Sequence, residues 1–81
     1  MADTKYLRPG VPFAIAHLVE ECGEVLAAAG KTQRWGLDSY NPELPIDGRE
    51  TNQAWLLREL DDLEGSIQRV RAALAAAEGR G

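Results

Sequence analysis

The sequence predicts an all-α protein: a hairpin of two long helices that assembles into a four-helix bundle through pairing with further copies of itself. Three observations lead there. Apolar residues recur at three- and four-residue steps in two long stretches. A segment rich in Gly, Pro, Asn and Asp divides them. With 81 residues in two amphipathic helices, each helix keeps an apolar flank that only a partner covers, so a homodimer or homotetramer is expected.

Met1 to Gly10 lacks the apolar run of a secretion signal. Pro9, Gly10 and Pro12 mark a boundary, and Pro12 suits a first helical turn because its missing N–H has no intrahelical role there. The first helix is expected over residues 12–35, with the stripe Ile15, Leu18, Val19, Cys22, Val25, Leu26 and Ala29. Gly36 closes it; Gly23 and Gly30 lie inside and weaken it slightly. Residues 36–48 hold Asp38, Ser39, Asn41, Pro42, Pro45 and Gly48 and read as a loop. Asp47 and Glu50 have capping-box spacing. The second helix is expected over 49–78, with Gly79 ending it and the stripe Trp55, Leu56, Leu60, Leu63, Ile67, Val70 and Leu74. No internal repeat appears, and the whole of 1–81 reads as one domain.

Composition narrows the function classes. Thirteen acidic residues against nine Lys and Arg give a net charge of −4, which argues against binding nucleic acid or an anionic membrane. A single cysteine, Cys22, excludes an internal disulfide and an intramolecular thiolate zinc site. No apolar run approaches the ~18–20 residues of a membrane span. A cytoplasmic location is the expectation.

The chemistry lies in two acidic clusters, Glu20-Glu21-x-x-Glu24 and Glu59-x-x-Asp62. At about 100° per residue, Glu20, Glu21 and Glu24 share one face of the first helix with His17, Lys31 and Trp35. The second helix behaves differently. Glu59 falls near the centre of the apolar stripe, among Asn52, Leu56, Leu63 and Ser66, with Asp62 about 60° away and Asp61 on the opposite side. A carboxylate on a core face costs several kcal/mol unless compensated. Inward carboxylates with few inward cations imply a hard divalent ion, Mg²⁺ or Mn²⁺. A solvated helix face alone would also explain the first cluster, and an arginine such as Arg58 or Arg69 would also pair with Glu59.

Glu-Glu-x-x-Glu on one helix followed by Glu-x-x-Asp on the next resembles the MazG-like, all-α nucleoside triphosphate pyrophosphohydrolases. The stretch Leu18-Val19-Glu20-Glu21-Cys22-Gly23-Glu24-Val25 is similar to their first metal helix, and Arg58-Glu59-Leu60-Asp61-Asp62-Leu63 to their second. The likeness runs over about residues 13–70 and looks closest to short, phage-type members. It implies hydrolysis of a nucleoside triphosphate to a monophosphate and pyrophosphate, with Mg²⁺ as cofactor. It further implies Glu21, Glu24, Glu59 and Asp62 as metal ligands and Glu20 beside them as the catalytic, water-orienting group. The chain departs from the family in length: related proteins often have four or more helices per subunit, so a partner subunit completes the pocket or the pocket is degenerate.

Lys31 and Arg34 are candidates for phosphate contact, or solvated cations near a helix C-terminus. Trp35 either stacks on a base or packs under the loop. Asn52 either lines the pocket or bonds across the bundle. Trp55 reads as core. His17 reads as a hydrogen-bond partner of Glu20 or Glu21 or as exposed, and Cys22 as a buried small hydrophobe. Tyr40 and Asn41 lie where a loop would close over a nucleotide. Two rival functions remain: a nucleotide-binding module with the same metal site and little or no turnover, and a helical interaction protein whose acidic residues are pairing groups.

Overall fold

The computed structural model describes residues 10–79. They form α1 (Val11–Trp35), a single 3-10 turn (Ile46–Gly48) and α2 (Asn52–Gly79). Pro9 and most of the N-terminal segment lie outside them. The described residues contain no strand beyond one isolated antiparallel bridge, Tyr40 to Thr51. The two helices pack antiparallel along one another in a body 51 × 23 × 22 Å. Among the described residues no helix is long and apolar enough to cross a membrane.

Each helix end has a local cause. Pro12 sits in the first turn of α1, and the Gly10 carbonyl accepts from Ala14 N at 3.1 Å. At the other end Gly36 takes φ 95°, a conformation that favours glycine, while its N–H bonds the Thr32 carbonyl at 2.8 Å. The second helix begins three residues later than the sequence suggests, at Asn52, because Asp47 is used within the 3-10 turn and Arg49 is extended. Thr51 is its cap: Thr51 Oγ1 accepts from Ala54 N at 3.1 Å. The Asn52 and Gln53 amides donate to Ser39 O and Leu37 O at 2.7 and 3.0 Å. The loop thus satisfies the first amides of α2. Arg49 fixes the loop in turn. It donates to Leu44 O and Pro42 O, both at 2.8 Å, and stacks 4.9 Å from the Tyr40 ring centre.

The seam between the helices follows a heptad-like rhythm. On α1 it runs through Val11, Ala14, Leu18, Glu21, Val25, Ala28 and Thr32; on α2 through Asn52, Leu56, Glu59, Leu63, Ser66, Val70, Ala73 and Ala77. Ala14, Ala28 and Ser66 are almost fully buried, and their small side chains let the helices approach closely. This seam lies to one side of the α1 stripe read from sequence. Ile15, Val19 and Leu26 stay exposed. Cys22, expected to be buried, is exposed beside them. The helix has turned so that Glu21 faces α2, which carries Cys22 about 100° out of the seam.

Antiparallel packing then sorts the remaining residues onto two sides of the hairpin. Rotating away from the seam in the same sense on both helices brings Ile15, Val19, Cys22 and Leu26 of α1 to the side that carries Leu60, Ile67 and Leu74 of α2. The opposite sense brings His17, Glu24 and Lys31 together with Arg58, Asp62 and Arg69. One flank is apolar and uncovered; the other is charged.

Candidate metal centre

Midway along the seam, on the charged side, three carboxylates converge. One oxygen from each of Glu21, Glu59 and Asp62 lies within 4.8 Å of the others. Glu59 is only 5% exposed and the Glu21 side chain 12%, while Asp62 is open to solvent. The two glutamates come from seam positions of facing helices, so helix packing itself drives them together.

Their hydrogen bonding is incomplete in a patterned way. Glu59 Oε2 accepts from the indole Nε1 of Trp55 at 3.1 Å and from Arg58 at 3.4 Å. Glu21 Oε2 lies 3.3 Å from His17 Nε2. The other oxygens, Glu21 Oε1 and Glu59 Oε1, are buried without a hydrogen-bond partner. A buried carboxylate oxygen left bare is costly, and a cation is the ligand that removes the cost. The set consists of hard oxygen donors, which suits a divalent metal ion.

The charge balance agrees. Arg58 is the cation beside Glu59, yet its shorter bond, 2.6 Å, goes to Glu50, and its side chain is half exposed. Arg69, the other cation suggested by sequence, donates to His17 Nδ1 at 3.1 Å rather than to a carboxylate of the cluster. Glu24 borders the group from α1. Its carboxyl is held above the ordinary range, first because its protonated form can hydrogen-bond to the Glu59 carboxylate, then by the negative charges of Glu59 and Glu21. Retaining a proton is what a carboxyl does when like charges crowd it without a counter-ion.

Next to this centre is an open cleft of about 740 Å³ between the helix ends and the loop. Lys31, Trp35, Tyr40, Asn52, Trp55 and Arg58 are among its walls. Its size lies within the usual range for small-molecule sites. Trp55 and Arg58 belong to both the cleft and the carboxylate group, since each touches Glu59.

The residues singled out from sequence therefore fall into distinct places. Glu21, Glu59 and Asp62 meet, and Glu24 adjoins them. Glu20 is exposed, one helical step round from Glu21. Lys31, Trp35 and Asn52 share the cleft with Tyr40 and Asn41, whereas Arg34 is an exposed cation of the last turn of α1, outside its walls. The buried Asn52 spends its amide on Gly36 O at 3.0 Å and Lys31 O at 3.4 Å, tying the C-terminus of α1 to the start of α2. Trp55, expected in the core, is half-buried and forms a wall of the cleft. Sequence reasoning named Arg58 as a partner for Glu59, which it is, but passed over the bond from Trp55 to Glu59 and the place of Arg58 in the cleft wall. The signal for Trp55 was its i,i+4 spacing to Glu59, which repeats that of His17 to Glu21. Comparison with family models, curated proteins and solved structures gives no match.

Proposed function

We propose that this protein is a Mg²⁺-dependent nucleoside triphosphate pyrophosphohydrolase of the MazG-like kind, acting as a homo-oligomer. The observation that carries the reading is the pair of buried, partnerless oxygens on Glu21 and Glu59, two carboxylates that converge with Asp62 beside an aromatic-walled cleft. Glu21, Glu59 and Asp62, with Glu24 adjoining, are the oxygen donors for the ion. Bound Mg²⁺ supplies positive charge against the phosphate chain and Lewis acidity at the scissile phosphoryl group. Lys31 and Arg58 bring fixed positive charge to the cleft side of the cluster, where pyrophosphate would leave. Trp35, Tyr40 and Trp55 offer faces for a nucleobase. Glu20, at the solvent edge, orients the attacking water.

Assembly belongs to the same reading. The flank built from Ile15, Val19, Leu26, Leu60, Ile67 and Leu74 is exposed in the single hairpin, and packing it on a second copy makes a four-helix bundle. The charged flanks then remain outside the shared core, each with its cleft.

A nucleotide-binding module without turnover is the second reading, favoured by the exposure of Glu20, the one group assigned to water. A panel of nucleoside and deoxynucleoside triphosphates with Mg²⁺ separates the two. The proposal expects monophosphate and pyrophosphate, with ¹⁸O from labelled water in the monophosphate. Label in pyrophosphate would move attack to the β-phosphorus, and release of single orthophosphate groups would reject the reaction class. Saturable nucleotide binding without product would favour the module.

A further inference from the structure

Each buried glutamate has a ring nitrogen near one of its oxygens, a hydrogen bond on α2 and a contact at ion-pair distance on α1. On α2 the Trp55 indole donates Nε1–H to Glu59 Oε2 at 3.1 Å, one turn along the helix. On α1 His17 Nε2 lies 3.3 Å from Glu21 Oε2, again one turn along. In both cases the second oxygen, Oε1, is the buried one without a partner.

The proton position on His17 follows from its other contacts. Arg69 lies 3.1 Å from His17 Nδ1, and a guanidinium only donates. Nδ1 is therefore the acceptor, and the neutral ring carries its proton on Nε2, toward Glu21. The almost fully buried Ser66 hydroxyl lies 3.1 Å from the same Nδ1 and competes with Arg69 for its single lone pair. Arg69 thus selects the tautomer whose N–H is on the side of the Glu21 carboxylate.

We propose that His17 and Trp55 are positioning residues: each ties one oxygen of a buried glutamate with a ring N–H and so leaves the other oxygen aimed at the bound cation. The inference rests on the metal reading above and adds to it the groups that act through the ligands. A carboxylate held by one oxygen has lost its rotational freedom before the ion arrives, so less is lost on binding. Trp55 has a second consequence. Its ring is a wall of the cleft, so a base seated there rests on the side chain that holds Glu59.

The test is calorimetric titration of Mn²⁺ into wild type, W55F, H17F and H17Q, without nucleotide, on protein checked for helicity. W55F keeps the aromatic wall and loses the N–H. H17Q keeps a donor toward Glu21 and an acceptor toward Arg69, whereas H17F keeps neither. W55F and H17F should each bind Mn²⁺ about 10- to 100-fold more weakly than wild type. H17Q should stay within about threefold of wild type, a rescue that simple filling of space does not give. Wild type that fails to bind Mn²⁺ removes the metal reading itself. Wild type that binds while W55F and H17F bind equally well overturns the positioning role and leaves the metal site standing. Should W55F not fold, equal affinity in H17F and H17Q overturns the proposal by itself.

Discussion

The two flanks of the hairpin differ in what they lack. The flank of Ile15, Val19, Leu26, Leu60, Ile67 and Leu74 has ordinary apolar side chains in water and lacks only a cover. The flank of Glu24, Arg58 and Asp62, with Glu21 and Glu59 turned into the seam behind it, has buried polar atoms and lacks a charge. Both arise from the same two helices, and the difference is a rotation of about half a turn. An apolar surface is satisfied by almost any complementary apolar surface, including a copy of itself. A converging set of carboxylates with buried, partnerless oxygens is satisfied by few things, of which a divalent cation is the simplest. On the proposed reading, assembly and chemistry fall on separate sides of a chain of 81 residues.

The largest effect should come from charging the apolar flank. The double variant V19E/L26E places two carboxylates where a second hairpin would pack, and leaving an unpaired charge buried costs about 3–5 kcal/mol. Light scattering of wild type should give a multiple of 8.8 kDa, and the variant should fall to one chain. A stable wild-type species of one chain would break the comparison, because the flank would then need no cover.

A smaller effect is expected from R58Q on the charged flank. Arg58 is half exposed and spends its best bond on Glu50, so its loss should lower apo stability by less than about 1 kcal/mol. The oligomeric state should not change. Thermal melts with and without Mg²⁺ check both points, and the metal-induced rise should survive. A dissociated R58Q would mean that the charged flank also forms the interface.

The smallest effect is the pH response, and only the charged flank should give one. Glu24 holds its proton more tightly in the fold than in the unfolded chain, so protonation stabilises the native state. That stability is present on the acid side and is lost as pH rises from the ordinary carboxylate range through the raised value. Apo melting temperature should fall over this interval, E24Q should flatten the fall, and Mg²⁺ should oppose it. A melting temperature that climbs with pH in wild type would contradict the crowding of Glu24 by Glu59 and Glu21.

Much of this was legible in the sequence, for identifiable reasons. Two helices, their break at Gly36 and the inward turn of Glu59 follow from periodicities of three and four, which depend only on helix geometry. The place of Glu21 was harder. Its helix has an apolar stripe wide enough for two neighbours, and periodicity does not say which part faces α2 within the chain and which is left exposed. Cys22 was misplaced for that reason. The start of α2 was also missed, because Asp47 and Glu50 have the spacing of a cap, while Thr51 gained its role from loop carbonyls that only the fold brings near. The cleft depends on loop geometry fixed by Arg49 and was foreshadowed only by the presence of Trp35, Tyr40 and Asn41 around the break.

The claim on which the rest depends is that the buried carboxylates form a cation site, and Glu59 against Asp61 tests it within one acidic triplet. Glu59 is buried in the seam and Asp61 faces solvent. Thermal and denaturant melts of wild type, E59L and D61L with and without Mg²⁺ or Mn²⁺ are the measurement. Wild type and D61L should gain about 2.7 kcal/mol when the ion is at a hundred times its dissociation constant. E59L should start at or above the wild-type apo stability, since replacing a buried charge with a packed hydrophobe is often neutral or stabilising by about 1–4 kcal/mol, and it should gain nothing from the ion. An E59L variant that keeps the full metal response, or a D61L variant that loses it, would contradict the account.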